Sequence, residues 1–325
     1  MSSLSHSPYL ETIRYWNGSS TLNGYKLRFL LTKLVEMYSF KKKSNPLPSI
    51  KAAQSDYREF ASPLENSISS TSKTAVVVPC YIRDARSADQ LKRLYQTLIG
   101  QEVKPDLVIF VDDCSPYPYD ESAFGGIVFR KQKKNCGPAT ARNVGLEYAL
   151  SQGADIVAFT DSDCILSPGW MSSIKHFFLN NKYANILSGN TLSYGNSWFD
   201  KYHELNGTLN GRMFKGKEHL LYGPTANLAI TKNVGISIEF DTSFPNAAGE
   251  DIDFCLQANR CGFRAFFCED MKIEHDYGYG RSFIGNLKRF IKQFERYADG
   301  EKVLLDKNPS YYMYFENTKE ISVVR

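Results

Sequence analysis

From Thr74 onward, short apolar runs rich in β-branched residues alternate with longer stretches of helical period. Residues 75–79 (AVVVP) and 107–111 (LVIFV) each predict a buried strand, and 126–130 (GIVFR) and 155–160 (DIVAFT) a third and a fourth strand, with helices over 88–99 and 137–150 between them. Strands and helices in this alternation fold as an α/β domain, a mostly parallel central sheet with helices on both faces. Ligands of such sheets bind beyond the carboxyl ends of the strands. Two of the runs end there in acids, Asp112-Asp113 and Asp161-Ser162-Asp163. Acidic residues on two separate strand ends form a site pattern rather than a core pattern.

The second half is less regular. Residues 227–231 and 264–268 read as strands, and 250–261 and 281–297 as helices. In the last helix Phe283, Ile284, Leu287, Phe290, Ile291, Phe294 and Tyr297 form one stripe, with Lys288, Lys292 and Arg296 on another face. The expected organisation is an N-terminal basic helical arm and linker (1–73), an α/β domain (74–300) and a C-terminal extension (301–325). In the arm, Leu27, Leu30, Leu31, Leu34 and Tyr38 make a second amphipathic stripe, followed by a Ser- and Pro-rich stretch. No internal repeat occurs.

The 325 residues are 42% hydrophobic and 23% charged, which excludes a disordered or highly charged tail protein. The net charge of +4 is too mild to argue for nucleic acid as a partner. Its distribution is uneven: residues 1–73 hold ten Lys and Arg against five Asp and Glu, and the rest holds 29 against 30. No apolar run reaches membrane-spanning length, and the first residues lack a signal-peptide core. Seven cysteines with no C-x-x-C fit reduced thiols in a cytoplasmic protein better than disulfides or a structural zinc site.

Asp161 and Asp163 flank one residue at a strand end, where two carboxylates can hold Mg²⁺ or Mn²⁺ against a diphosphate. An Asp-rich turn is the plainer alternative. Arg142 sits at a helix start, where free N–H groups favour anions, so it can reach a phosphate or hold the Asp161–Asp163 loop; an exposed Arg on a capped helix is the other reading. Glu250 and Asp251 open another helix. Capping explains one of them, and a general base also needs a positioned carboxylate. His275 ends a strand beside a Gly-Tyr-Gly loop, either as a structural histidine or as a metal ligand.

The segments AVVVPCY (75–81), FVDDCSP (110–116), CGPATARNVG (136–145), FTDSD (159–163) and GEDIDF (249–254) occur in one order. Together they resemble the family 2 glycosyltransferases, whose nucleotide-sugar-binding fold is called GT-A. The likeness covers residues 74 to 300. It implies an inverting, metal-dependent transfer of a sugar from a nucleoside-diphosphate sugar, with a UDP-sugar as the expected donor and Mn²⁺ or Mg²⁺ as cofactor. The acceptor would be a hydroxyl on a glycan or lipid-linked molecule in cell-surface polysaccharide, lipopolysaccharide or other glycan assembly. In the donor site the resemblance implies Pro79 and Tyr81 along the base pocket, Asp113 on the base with Asp112 shaping its loop, Arg142 beside the nucleotide and Asp161 facing ribose and metal. It makes Asp163 and His275 metal ligands, Asp251 the general base and Glu250 the residue that orients the acceptor. Ile82 departs from the Asn common after the tyrosine.

A haloacid-dehalogenase-type phosphatase would also place a D-x-D after a strand, but normally after the first of its domain. A sugar-nucleotide pyrophosphorylase would need glycines in PCYIRDARS, and a dinucleotide dehydrogenase its G-x-G-x-x-G. A sugar-binding pseudoenzyme would have no use for intact Asp161, Asp163, Asp251 and His275. The two basic amphipathic helices read either as docking onto the anionic inner face of a membrane or as packing on the domain with solvated lysines outside.

Overall fold

The computed structural model describes residues 60–244 and 247–314; the arm helix expected at 26–43 lies outside them. Strands β1 (Thr74–Cys80), β2 (Leu107–Asp112), β3 (Val128–Lys131) and β4 (Ile156–Thr160) form one half of a ten-stranded sheet, in the spatial order β3-β2-β1-β4. All three ladders in this half are parallel. The chain runs outward from β1 through β2 to β3, then returns to place β4 on the other side of β1. The crevice between the carboxyl ends of β1 and β4 is therefore the topological switch point, the expected ligand position in an open α/β sheet.

Three helices connect and cover this half. α1 (Ala85–Ile99) starts at a capping box between Asp84 and Ser87 and buries Leu91, Leu94 and Leu98. α2 (Pro138–Ser151) crosses the opposite face, and α3 (Trp170–Asn180) returns to the α1 side. The two apolar layers lie on either side of Val76, Val78 and Phe110 on one face and Val77, Ile109 and Val111 on the other. That alternation along β1 and β2 is why both strands read as continuous apolar runs.

The other half is mixed. β5 (Cys164–Leu166), β6 (Ala184–Ser193), β7 (Arg212–Met213), β8 (Leu220–Tyr222), β9 (Asn227–Thr231) and β10 (Arg264–His275) extend the sheet, with β9 antiparallel between β4 and β6. The sequence hides β6 because it carries Asn185, Ser188, Asn190 and Thr191. These are buried: the Arg264 backbone N–H donates to Asn185 Oδ1 and the Thr191 backbone N–H donates to Asn210, while Asn185 Nδ2, Ser188 Oγ and Thr191 Oγ1 meet no hydrogen-bond partner among the described residues. β10 is longer than expected. Its pairing with β6 shifts register between Cys268 and Lys272, so Glu269 and Asp270 bulge to solvent and the strand resumes to His275.

Helices α4 (Trp198–Asn206), α5 (Lys232–Ser237), α6 (Glu250–Arg260) and α7 (Phe283–Lys307) complete the domain. α7 runs ten residues beyond the expected end at 297, and Leu304 and Leu305 seal a cluster with Phe214, Leu221, Phe244 and Leu256. Phe60 joins that cluster edge-on to Phe214 and Tyr314, and Asn66 Nδ2 donates to the carbonyls of Asn181 and Ala184. The last residues before β1 thus lie on the domain surface. All seven cysteines are unpaired.

Candidate active site

The loop after β2 is tied to the start of α2. Asp113 accepts the backbone N–H of Cys136 on one carboxylate oxygen and that of Gly137 on the other, at 2.7 and 2.8 Å. Asp112 accepts Ser115 N–H at 2.8 Å and the Tyr119 hydroxyl at 3.1 Å. Between these contacts Cys114 has φ +61°, a strained value for a non-glycine residue. Burial pushes Asp113 up, against the two N–H groups that favour its charge. Tyr81, after β1, is 40% exposed, whereas Ile82 is fully buried in the core. The departure from Asn therefore serves packing.

Asp161 follows β4. Arg142, buried on the second turn of α2, donates to Asp161 at 3.1 Å and to Glu250 at 2.7 Å. The three side chains join β4, α2 and α6 in one network. Burial pulls the Arg142 guanidinium down, but Asp161, Glu250 and Asp251 together push it above its ordinary value. This is the fastening role open to Arg142 in the sequence, with Glu250 as an additional partner.

Glu250 and Asp251 stand side by side at the start of α6 but in different environments. Glu250 is buried against Arg142. Asp251 is half-buried and accepts N–H groups of Ile252 at 2.8 Å and Thr225 at 3.4 Å. Burial and then repulsion from Glu250 push Asp251 up to about 7, against the pull of Arg142. Gly249 precedes them with φ +91°, and a Cβ on Gly300 of α7 would stand 1.9 Å from the Ala248 carbonyl oxygen. The backbone of α7 is thus pressed against the turn that presents both acids.

Asp163 and His275 meet because β5 pairs antiparallel with β10, Cys164 opposite His275, and Asp276 N–H donates to the Asp163 carbonyl. His275 Nε2 lies 3.2 Å from Asp163 Oδ1. That buried oxygen has no hydrogen-bond donor, and His275 Nδ1 is also unpartnered. The ligand atoms of Asp163, Cys164 and His275 lie within 4.8 Å of one another. Burial raises Asp163 while His275 draws it down. An orphaned carboxylate oxygen beside an imidazole nitrogen fits a divalent cation such as Mn²⁺ or Mg²⁺.

Sequence reading missed an aromatic wall behind this centre. His203 Nε2 contacts the Tyr279 hydroxyl at 2.8 Å, Tyr279 donates to Gln293 at 3.2 Å, and Gln293 donates to the Tyr297 hydroxyl at 2.8 Å. Burial, then the charges of Asp251 and Asp161, push the Tyr297 phenol up to about 12, although Gln293 draws it down. The Gly-Tyr-Gly loop and Tyr297 in the stripe of the last helix were its signs in the sequence. Asp276, next to His275, is buried and ion-paired to both Arg86 and Arg93 of α1, which fixes the end of β10.

Among relatives, the chain is 29% identical over 132 residues to the succinoglycan biosynthesis protein ExoW of Rhizobium meliloti, covering 38% of this chain and 40% of that one. It is 29% identical over 212 residues to the pre-mycofactocin glycosyltransferase of Mycobacterium tuberculosis, covering 62% and 42% respectively. The chain thus spans less than half the length of these curated relatives. Solved structures with a similar course include S. aureus TarS in complex with UDP (TM-score 0.49, 18% identity, 74% of this chain and 70% of that one). Another is the mannosyltransferase PcManGT of Pyrobaculum calidifontis with GDP-Man and Mn²⁺ (TM-score 0.47, 14% identity, 93% and 84%). The model of the family described as glycosyl transferase family 2 matches residues 75–242, more than half of the chain. That match takes in Asp112, Asp113, Arg142, Asp161 and Asp163, and the tertiary structure adds Glu250, Asp251 and His275 beside them: the chain belongs to glycosyl transferase family 2.

Proposed function

We propose that the protein transfers a sugar, with inversion, from a nucleoside-diphosphate sugar to an acceptor hydroxyl. The observation that carries this reading is the division of labour between two carboxylate environments. Asp163 offers an unpartnered oxygen beside His275, and Asp251 is pushed up to about 7 next to an Arg142-held Glu250. Carboxylates whose environments separate them in this way are suited to different roles in one reaction.

Asp163 and His275, with Asp161 beside them, are the residues that would hold Mn²⁺ or Mg²⁺, which supplies positive charge to a departing diphosphate. Asp251 takes the acceptor proton as the hydroxyl oxygen bonds to the anomeric carbon, and the bond from that carbon to the diphosphate breaks with its electron pair leaving on phosphate. Glu250, clamped by Arg142, keeps the turn in place and stands ready to orient the acceptor. Pro79 and Tyr81 at the carboxyl end of β1, and Asp112 and Asp113 at that of the neighbouring β2, are the residues beside which this reading puts the base of the nucleotide. The unpaired cysteines suit a reducing, cytoplasmic setting. The names of the curated relatives, one a succinoglycan biosynthesis protein, favour a glycan or lipid-linked acceptor.

The test is a panel of nucleotide sugars with purified protein and Mn²⁺, reading released nucleoside diphosphate. One donor turned over by the wild type, and lost on chelation and in Asp163→Ala, supports the reading. Turnover of no donor, or turnover indifferent to Asp163 and Asp251, overturns it.

A further inference from the structure

We propose that the first three turns of α7 form a membrane-docking face for an anionic lipid bilayer. The helix does not keep its apolar stripe on one side of the domain. Phe290 is fully buried and Phe294 nearly so, packed with Phe199 and Tyr202. Toward the start of the helix the stripe turns outward: Phe283 is 63% exposed, Ile284 67% and Leu287 37%. Phe283 leans on the Phe199 ring at 5.6 Å and still leaves most of its surface in solvent.

Charge identifies the occupant. Arg281, Lys288, Arg289 and Lys292 occur in the same segment, all four exposed, with Arg289 turned toward Gly278, and no acid occurs between Arg281 and Gln293. None of the four is ion-paired to a described residue. On a helical wheel Lys288 and Lys292 lie along one side of the Ile284–Leu287–Ile291 edge, and Arg281 precedes the N-cap Ser282. An outward apolar edge bordered by cations matches the acyl and headgroup levels of a bilayer bearing negative lipids. The N-terminal arm is a poor cover, because residues 1–73 carry ten Lys and Arg against five Asp and Glu and so repel this face. A second copy of the same face repels it for the same reason. Among the described residues no helix is long and apolar enough to cross a membrane, so docking here is peripheral. α7 begins eight residues after His275, so the docked face would put the mouth of the site at headgroup level.

The docking stands on the helix face alone and is independent of the catalytic reading. Flotation of the full chain with phosphatidylglycerol–phosphatidylcholine vesicles, against phosphatidylcholine alone, tests it. Wild type should float with the anionic vesicles only, and release in high salt. The triple variant Phe283→Ser/Ile284→Ser/Leu287→Ser should lose at least tenfold in partitioning. Lys288→Gln/Lys292→Gln should lose several-fold per charge removed, roughly fivefold each. Ile284→Glu, a single change at the most exposed of these positions, repeats the loss should the triple variant misfold by circular dichroism. Wild type that stays unbound, equal binding to neutral vesicles, or flotation unchanged in both the Ile284→Glu and the charge variants overturns the proposal. So does a dimer of the wild type that Ile284→Glu dissolves, which would assign the face to a second copy. Donor hydrolysis without vesicles, unchanged in all these variants, separates the outcome from any failure of the catalytic reading.

Discussion

Arg142 Nη1 donates to Glu250 at 2.7 Å with both side chains almost wholly out of water. A single buried ion pair thus locks α2 to the turn that presents Asp251, while the second guanidinium nitrogen reaches Asp161 on the opposite wall.

Removing one partner of a buried pair leaves the other charge without compensation, at a cost of about 3–5 kcal/mol. Arg142→Met is therefore expected to lower folding stability by that order, measured by urea unfolding, with Arg142→Met/Glu250→Met recovering a large part of it. Equal stability of wild type and Arg142→Met would show that the pair carries no weight in the fold.

The proposed cation site gives a binding prediction. Asp163→Ala and His275→Ala should each weaken Mn²⁺ binding by calorimetry at least about 100-fold, since even supporting partners of a ligand cost 10–100-fold when removed. Chelation of the wild type should abolish turnover and leave the far-ultraviolet circular dichroism unchanged, because Asp163 and His275 are held by β5–β10 pairing rather than by a metal.

Asp251, pushed up to about 7, is protonated below that pH and ionised above it. A base must be ionised, so kcat/KM should rise with pH and level off above about 7. Asp251→Asn should lower kcat about 10²–10⁴-fold, with donor affinity retained. The stability contribution has the opposite sign. The folded value lies above the ordinary carboxylate value of 3.8, so stability from this group is full below pH 4 and is lost as pH rises toward 7. Asp251→Asn should flatten that slope in pH-dependent unfolding.

Tyr297 is held by Gln293 facing the same acids. Tyr297→Phe deletes the hydroxyl and its bond, and a neutral hydrogen bond contributes about 0.5–1.5 kcal/mol. If the hydroxyl meets the acceptor, acceptor KM should rise about 2–10-fold while donor hydrolysis in the absence of acceptor is unchanged. An equal loss in both assays would assign the residue to structure alone.

Gly300→Ala places a methyl group against the Ala248 carbonyl, 1.9 Å from its oxygen before relaxation. Helix α7 must shift away from the turn before Glu250. A loss of about 1–3 kcal/mol is expected, as for other overpacked sites, together with a fall in kcat that Gly300→Ser repeats.

Local chemistry sufficed for the first half of the domain. Apolar runs buried on both faces gave β1, β2 and β4, the half-exposed edge strand β3 followed from its own short run, the intervening helices followed from their period, and acids past strand ends marked the crevice, because none of these depends on distant partners. Asn227–Thr231 was legible for the same reason. β6 was not, since its buried Asn185, Ser188, Asn190 and Thr191 break the apolar pattern of an interior strand, and the Arg264 N–H that meets Asn185 comes from a strand distant in sequence. Nor was the second half of β10, which resumes after a bulge that reads as a turn. The site divides in the same way. Residue types and spacing singled out Asp161, Asp163, Arg142, Glu250, Asp251 and His275, but left every one of them with an ordinary alternative. Only the tertiary structure put His275 beside Asp163, through a ladder between segments more than 100 residues apart, and set Glu250 apart from Asp251 by giving one of them Arg142. Proximity across the chain and differential burial are properties of packing, and no local pattern encodes them.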